Sequence, residues 1–257
     1  MPASLAADDL PERVADGALI AIGGAGLQRK PMSALRALVA AGRRELRVIS
    51  FLGSLDVELL LAAGAVAELH SAGVSLDAAG LAPHYRDARE TGSVSFFEWS
   101  EGTLLCALEA AARGVPSLPT WQALATDMPA INPWLREGRD PFTGEPVMNV
   151  RALCPDVALL HVPAVDDAGY AYLDGDLAYD GAMARAAGEV IVSYDERRAS
   201  EPRLAVLSRL WIDATIHAPQ GAWPTGCHPL TGVDSASVAS WAAAGLDATP
   251  ALLEPHA

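Results

Sequence analysis

A chain of 257 residues, about half of them apolar (51%), can bury the core of one large α/β unit or two small ones. The formal net charge of −14 argues against nucleic acid, because a binder must neutralise phosphates with Lys and Arg, and against an anionic membrane surface. No apolar run reaches the about 18 residues of a membrane span, and the early acids of MPASLAADDLPERVADG are unlike a secretory signal. Cys106, Cys154 and Cys227 are too few and too scattered for a disulfide framework or a zinc site. A reducing cytoplasm and no metal are the expectation.

Short apolar runs alternate with amphipathic stretches, as in an α/β sheet. Residues 18–24 (ALIAIGG) predict a buried strand ending in glycines, and 31–42 a helix from Pro31 to Gly42. A strand at 46–51, a helix at 56–64, a strand at 66–72, a helix near 83–91 and a strand at 93–100 follow. EGTLLCALEAAARG, 101–114, is the clearest helix, and a short strand, VPSLPT, comes after it. From 120 to 145 the periodicity fades, and an ordered excursion over the sheet is expected, as a lid, a partner-contact loop or a plain surface loop. The α/β pattern resumes with strands in PDVALLHVPAVD and AGYAYLD, a helix at 178–187, and strands in EVIVSYDERR and LWIDATIHAP. Residues 235–257 predict a terminal helix and a loose tail. One domain over 1–257 is the simplest reading.

Three stretches could carry chemistry. In GGAGLQRKP, 23–31, Gly23 and Gly24 would let backbone N–H groups approach a ligand at the positive end of the next helix. Gly24 and Gly26 give only part of a dinucleotide fingerprint, since Arg29 stands where the third glycine should be. The stretch is either a tight turn with two exposed cations or a loop in which Arg29 and Lys30 meet a carboxylate or phosphate. In FFEWSEGTL, 96–104, Glu98 falls at a strand end and Glu101 at the strand-to-helix junction, the edge where parallel sheets bind ligands. Glu101 could equally serve the first turn of a helix capped by Ser100, whereas Glu98 in an apolar strand needs a partner. In APQGAWPTGCHP, 218–229, Gly221 belongs to an irregular loop near such a site. Cys227 and His228 are adjacent, but sequence neighbours seldom face each other as nucleophile and base. His70 and His161 in apolar strands read as buried core histidines.

Taken together, these stretches resemble the α chains of the class I CoA-transferase family. GALIAIGGAGLQRKPMSALRALVAAG matches the glutaconate-type opening, DPFTGEPV followed by PDVALLHVPAVDDAGYAYLDG the central segment, and IDATIHAPQGAWPTGCHPL the segment near the end. The resemblance runs in register from about residue 8 to about residue 235. It implies a Rossmann-like fold, with a mostly parallel sheet and helices on both faces. It further implies a homologous β subunit in an α2β2 assembly, an acyl-CoA substrate and no cofactor beyond coenzyme A as part of that substrate. In the family's transferases the attacking glutamate lies on the β subunit. In a decarboxylase and a steroid-ring-cleaving hydrolase the scaffold serves other reactions. GVSLD, 73–77, and EWSEGTLLCALEAAARGVPSLP, 98–119, look closest to the hydrolase, whose α chain supplies a glutamate at the place of Glu101. On this resemblance Glu101 is the candidate reactive group, with Gly23, Gly24, Arg29, Lys30, Glu98 and Gly221 around the substrate. The shorter C-terminal part departs from both groups. A chain that only contributes binding, with all covalent chemistry on β, is the alternative.

Overall fold

An unbroken apolar run such as Leu19–Ile22 belongs in a strand covered on both faces, and the computed structural model, which describes residues 1–255, places it there. In chain order the strands are β1 (Ala3–Ser4), β2 (Leu19–Ile22), β3 (Leu46–Ser50), β4 (Val66–Ser71), β5 (Ser95–Glu98), β6 (Ser117–Thr120), β7 (Leu135–Arg139), β8 (Pro146–Arg151), β9 (Val157–Asp166), β10 (Ala171–Tyr172), β11 (Glu189–Arg198) and β12 (Ala214–His217). The helices are α1 (Leu10–Arg13), α2 (Met32–Ala40), α3 (Leu55–Ala62), α4 (Pro83–Thr91), α5 (Glu101–Ala112), α6 (Met128–Ile131), α7 (Asp180–Ala186) and α8 (Ser235–Ala244). The main sheet runs β1-β12-β11-β9-β2-β3-β4-β5, parallel throughout, with β10 antiparallel on β9. The chain winds outward from β2 through β3 and β4 to β5, then returns to β9 on the other side of β2. The strand order therefore reverses between β2 and β9, which is where open α/β sheets bind ligands, beyond the carboxyl ends.

Strand alternation divides the core in two. Ile20 and Ile22 join Leu35, Leu38, Leu59 and Trp241 under α2, α3 and α8. Leu19 and Ala21 face the opposite way, into Leu104, Leu108, Leu160 and Met183 under α5 and α7.

Two expectations need correction. The stretch over 120–145 is not wholly irregular. β7 and β8 form a hairpin, and β6 pairs with β8 to make a three-stranded antiparallel sheet whose Leu135, Met148 and Val150 enter the second core. Asp140 shapes the hairpin turn by accepting from the Phe142 and Thr143 amides at 3.0 and 2.8 Å, and these bonds hold its carboxyl below the usual range. The segment after α8 is not a loose tail either. It continues as turns over Gly245–Asp247 and Pro250–Leu253, with Leu253 fully buried and its carbonyl accepting from Arg36 at 3.3 Å. The last two residues of the expected tail, 256 and 257, lie outside the described residues. No helix among the described residues is long and apolar enough to cross a membrane.

Candidate active site at the carboxyl edge of the sheet

The turn after β2 is built by close approach. Gly23 donates to Leu159 O at 2.9 Å, and a Cβ on it would lie 2.7 Å from a Leu160 methyl. Gly24 has φ +72°, and a Cβ there would lie 2.2 Å from the Gln28 carbonyl. Its amide donates to Asp180 Oδ1 at 2.8 Å. Both amides are spent inside the protein and do not point into an open oxyanion site.

The two cations of this turn are buried, not exposed. Arg29 is 5% and Lys30 0% accessible. Arg29 forms an ion pair with Asp180 at the start of α7 and donates to Asp176 O at 2.7 Å. Lys30 Nζ lies 3.1 Å from Asp56 Oδ2 and from Ser50 Oγ, and 3.4 Å from Gly24 O. Each charge has a buried carboxylate as partner, as burial demands. The pair acts as an internal brace for the turn, and neither is open to a substrate anion.

Gly221 also packs tightly. Its carbonyl accepts from Ser33 N at 2.8 Å, and a Cβ would lie 2.9 Å from His161 Cε1. The Arg29 amide donates to Gly226 O at 2.7 Å, so the loop 218–229 is stitched to the glycine turn. His228 is exposed while Cys227 is buried, so the two form no dyad. Cys227 turns inward to His161 and Asp195, and burial pushes its thiol pKa up. His161 is buried, as expected, and hydrogen-bonds Ser193 Oγ at 2.9 Å and Asp195 Oδ2 at 3.1 Å. Burial alone would raise the Asp195 pKa, but His161 above all, with the Cys227 thiol and Gln220 amide, holds it low. His70 is a core histidine, bonded to Glu68 at 2.6 Å and accepting from Trp99 Nε1 at 3.1 Å.

Glu98 does not hold Glu101 or Arg29. It is half exposed at the end of edge strand β5 and pairs with Arg89 of α4 at 2.6 Å. The partner that a charge in this strand needs is an α4 arginine close in sequence.

Glu101 opens α5. Ser100 caps the helix, accepting from Thr103 N at 3.2 Å while its own amide donates to Thr103 Oγ1 at 3.0 Å. The Glu101 side chain is exposed, and among the described residues its carboxylate takes no hydrogen bond or ion pair. Its backbone carbonyl accepts from Tyr179 OH at 2.6 Å. Tyr179 stacks on Phe51 with ring centroids 3.7 Å apart. Partial burial first, then the negative charge of Glu101, push the Tyr179 phenol up to about 12. Gln122 covers the start of α5 so closely that a Cβ on Gly102 would lie 1.7 Å from its Oε1.

Tyr179, Asp180, Phe51 and Gln122 escaped the sequence reading. Asp180 alone had a signal, an acid opening an apolar helix opposite an arginine of unknown partner. The arrangement offers one unpaired carboxylate at a helix N-terminus, beside a neutral phenol and an aromatic face, on a braced turn.

A coenzyme A transferase profile matches residues 5–209. The chain is 33% identical over 232 residues to the cholesterol ring-cleaving hydrolase IpdA subunit of Rhodococcus jostii, covering 84% of this chain and 77% of that one. It is 30% identical over 237 residues to an uncharacterized protein of Archaeoglobus fulgidus, covering 90% of this chain and 53% of that protein, so it spans about half of that relative's length. Among solved structures, a cysteine-to-serine variant of the decarboxylase AibA/AibB superposes with a TM-score of 0.91 at 33% identity over 98% of each chain. The chain belongs to the coenzyme A transferase family. Within it, the relatives named for their subunits make it a subunit-A type chain.

Proposed function

We propose that this chain is the α-type subunit of a two-subunit enzyme acting on an acyl-CoA thioester, and that Glu101 is the carboxylate it brings to the reaction. The observation that carries this is the unpaired state of Glu101. The other acidic and basic candidates of the site, Arg29, Lys30 and Glu98, are committed to Asp180, Asp56 and Arg89. A carboxylate left without a partner beside a ligand-binding sheet edge is available to take a proton.

Hydrolysis fits this geometry. Glu101 accepts a proton from water as the water oxygen bonds to a carbonyl carbon of the acyl-CoA. The proton then passes to the leaving group as its bond breaks. The neutral Tyr179 phenol anchors the Glu101 backbone and leaves the carboxylate free to swing toward substrate. Phe51, Tyr179 and Gln122 form the near wall. A β-type subunit closes the other side, in an α2β2 assembly, and the coenzyme A moiety of the substrate is the only cofactor involved.

CoA transfer to a carboxylic acid is the second reading, favoured by the family match over residues 5–209. In it the nucleophilic carboxylate stands on the partner, and Glu101 polarises or positions the acceptor. Co-expression with a β-type chain, followed by turnover of a panel of acyl-CoA thioesters in 18O-labelled water, separates the two. Label in the product acid without any acceptor supports hydrolysis, and strict dependence on an added carboxylic acid supports transfer. A well-formed complex that turns over no acyl-CoA in either format overturns the proposal.

A further inference from the structure

His161, Asp195 and Cys227 are 34 and 32 residues apart in sequence and meet where β9, β11 and the loop after β12 converge, on the face that carries α2 and α8. One donor atom from each lies within 4.8 Å of the others, and all three residues are buried. Two features of this cluster are not accounted for by hydrogen bonding.

The first is a proton count. Ser193 Oγ donates its single proton to Leu160 O at 3.1 Å, so its 2.9 Å contact with His161 Nδ1 is one in which Nδ1–H donates. In the neutral ring this leaves Nε2 with a bare lone pair, aimed at Asp195 Oδ2 only 3.1 Å away. Two acceptors at that distance need a cation between or beside them, either an added proton or a metal ion. The second feature is Asp195 Oδ1, which is buried and has no partner at hydrogen-bond geometry. Asp195 as a whole is 9% accessible, and a carboxylate oxygen so enclosed is costly to leave open. Arg29 lies near enough to influence Cys227, but its charge is already matched by Asp180.

We infer that His161 Nε2, an Asp195 carboxylate oxygen and Cys227 Sγ form a binding site for one divalent transition-metal ion of the zinc class. Zinc bonds of about 2.0–2.3 Å in a tetrahedron place donor atoms about 3.3–3.6 Å apart, inside the 4.8 Å span and a small adjustment from the 3.1 Å pair. The imidazole–thiolate–carboxylate set suits zinc or cobalt over magnesium or calcium, which prefer oxygen alone. Ser193, bonded to Nδ1, fixes the tautomer that ligates through Nε2, the outer support that metal-bound histidines usually have. On binding, the Cys227 thiol proton leaves to solvent as the S–metal bond forms, and any proton on Nε2 leaves likewise. The ion fastens the loop 218–229, and with it Gly221 and Gly226, to the strand ends. The inference is independent of the acyl-CoA reading, because the site lies behind Arg29 and does not include Glu101.

The test uses the full chain carrying Cys106→Ser and Cys154→Ser, so that Cys227 is its only thiol. After chelator treatment it is titrated with Co²⁺ and then with Zn²⁺. The expected result is one equivalent of Co²⁺ bound, with the visible bands of a tetrahedral site and a thiolate charge-transfer band, both abolished by one equivalent of Zn²⁺. Changing second-sphere groups alone costs about 10–100-fold in metal affinity, so adding Cys227→Ser should weaken Zn²⁺ binding by at least about 100-fold. Asp195→Asn is a second ligand variant of unchanged size. A folded chain that shows no charge-transfer band, or that binds Zn²⁺ equally well when Cys227 or Asp195 is changed, overturns the site and leaves a protonated His161–Asp195 pair in its place.

Discussion

Arg29 has φ +55° and spends its guanidinium on Asp180 and the Asp176 carbonyl, so its substitution is a question of folding before it is one of binding. Arg29→Ala would strand the Asp180 charge in the interior. Breaking a buried pair by removing one partner costs about 3–5 kcal/mol. Urea denaturation of the variant should show a loss of that order. A stable variant with only a raised KM would instead return Arg29 to the substrate site. Tyr179 has its own signature in alkali. Because its folded phenol is raised to about 12 from an ordinary value near 10, the stability this gives is fully present below about pH 10 and is lost as the pH rises toward 12. Ultraviolet titration of the native protein should therefore show a late phenol that Tyr179→Phe removes. A variant whose titration matches the wild type would mean that Glu101 does not act on Tyr179.

At the scale of elements, α5 aims Glu101, and the Ser100–Thr103 capping box fixes where α5 begins. Ser100→Ala should cost about 1 kcal/mol, within the about 0.5–2 typical of a lost N-cap, and Ser100→Thr should recover most of it in the same denaturation assay. Equal stability of Ala and Thr at this position would show that the cap does not set the helix start. This helix, like β2, β3 and β9, was legible because burial on both faces or along one face imposes an unbroken or periodic apolar pattern. β7 was not legible: LREGR buries only Leu135, and its sequence carries no alternation to betray a strand. The site was legible as a set of edges, since each candidate stretch does end at the carboxyl side of the sheet. Its wiring was not. Arg29 finds Asp180 151 positions away and Lys30 finds Asp56 26 away, and no local spacing announces such pairs. The cations thus looked exposed when each was already matched. Glu98, by contrast, found its partner nine residues off, on the preceding helix.

For the whole molecule, the carboxyl edge is braced from within but open around Glu101, and large apolar side chains such as Trp121, Phe142 and Leu210 stand exposed at 74%, 95% and 84%. Surfaces of this kind mark contact with another protein, in keeping with a partner subunit over the small antiparallel sheet and the edge beside it. The chain alone should be inactive on acyl-CoA, and sizing of the co-expressed pair should show a stable complex. Within that complex, Glu101→Gln keeps the size and helix propensity of the side chain and removes only its capacity to accept a proton. The most direct measurement is steady-state turnover of an acyl-CoA substrate by the purified two-subunit complex with and without this one change. The expected result is a fall in kcat of about 100-fold or more, the lower range for loss of a general base, with the complex and its melting temperature unchanged. Turnover within a few-fold of wild type would contradict the role given to Glu101 and return the chemistry to the partner subunit.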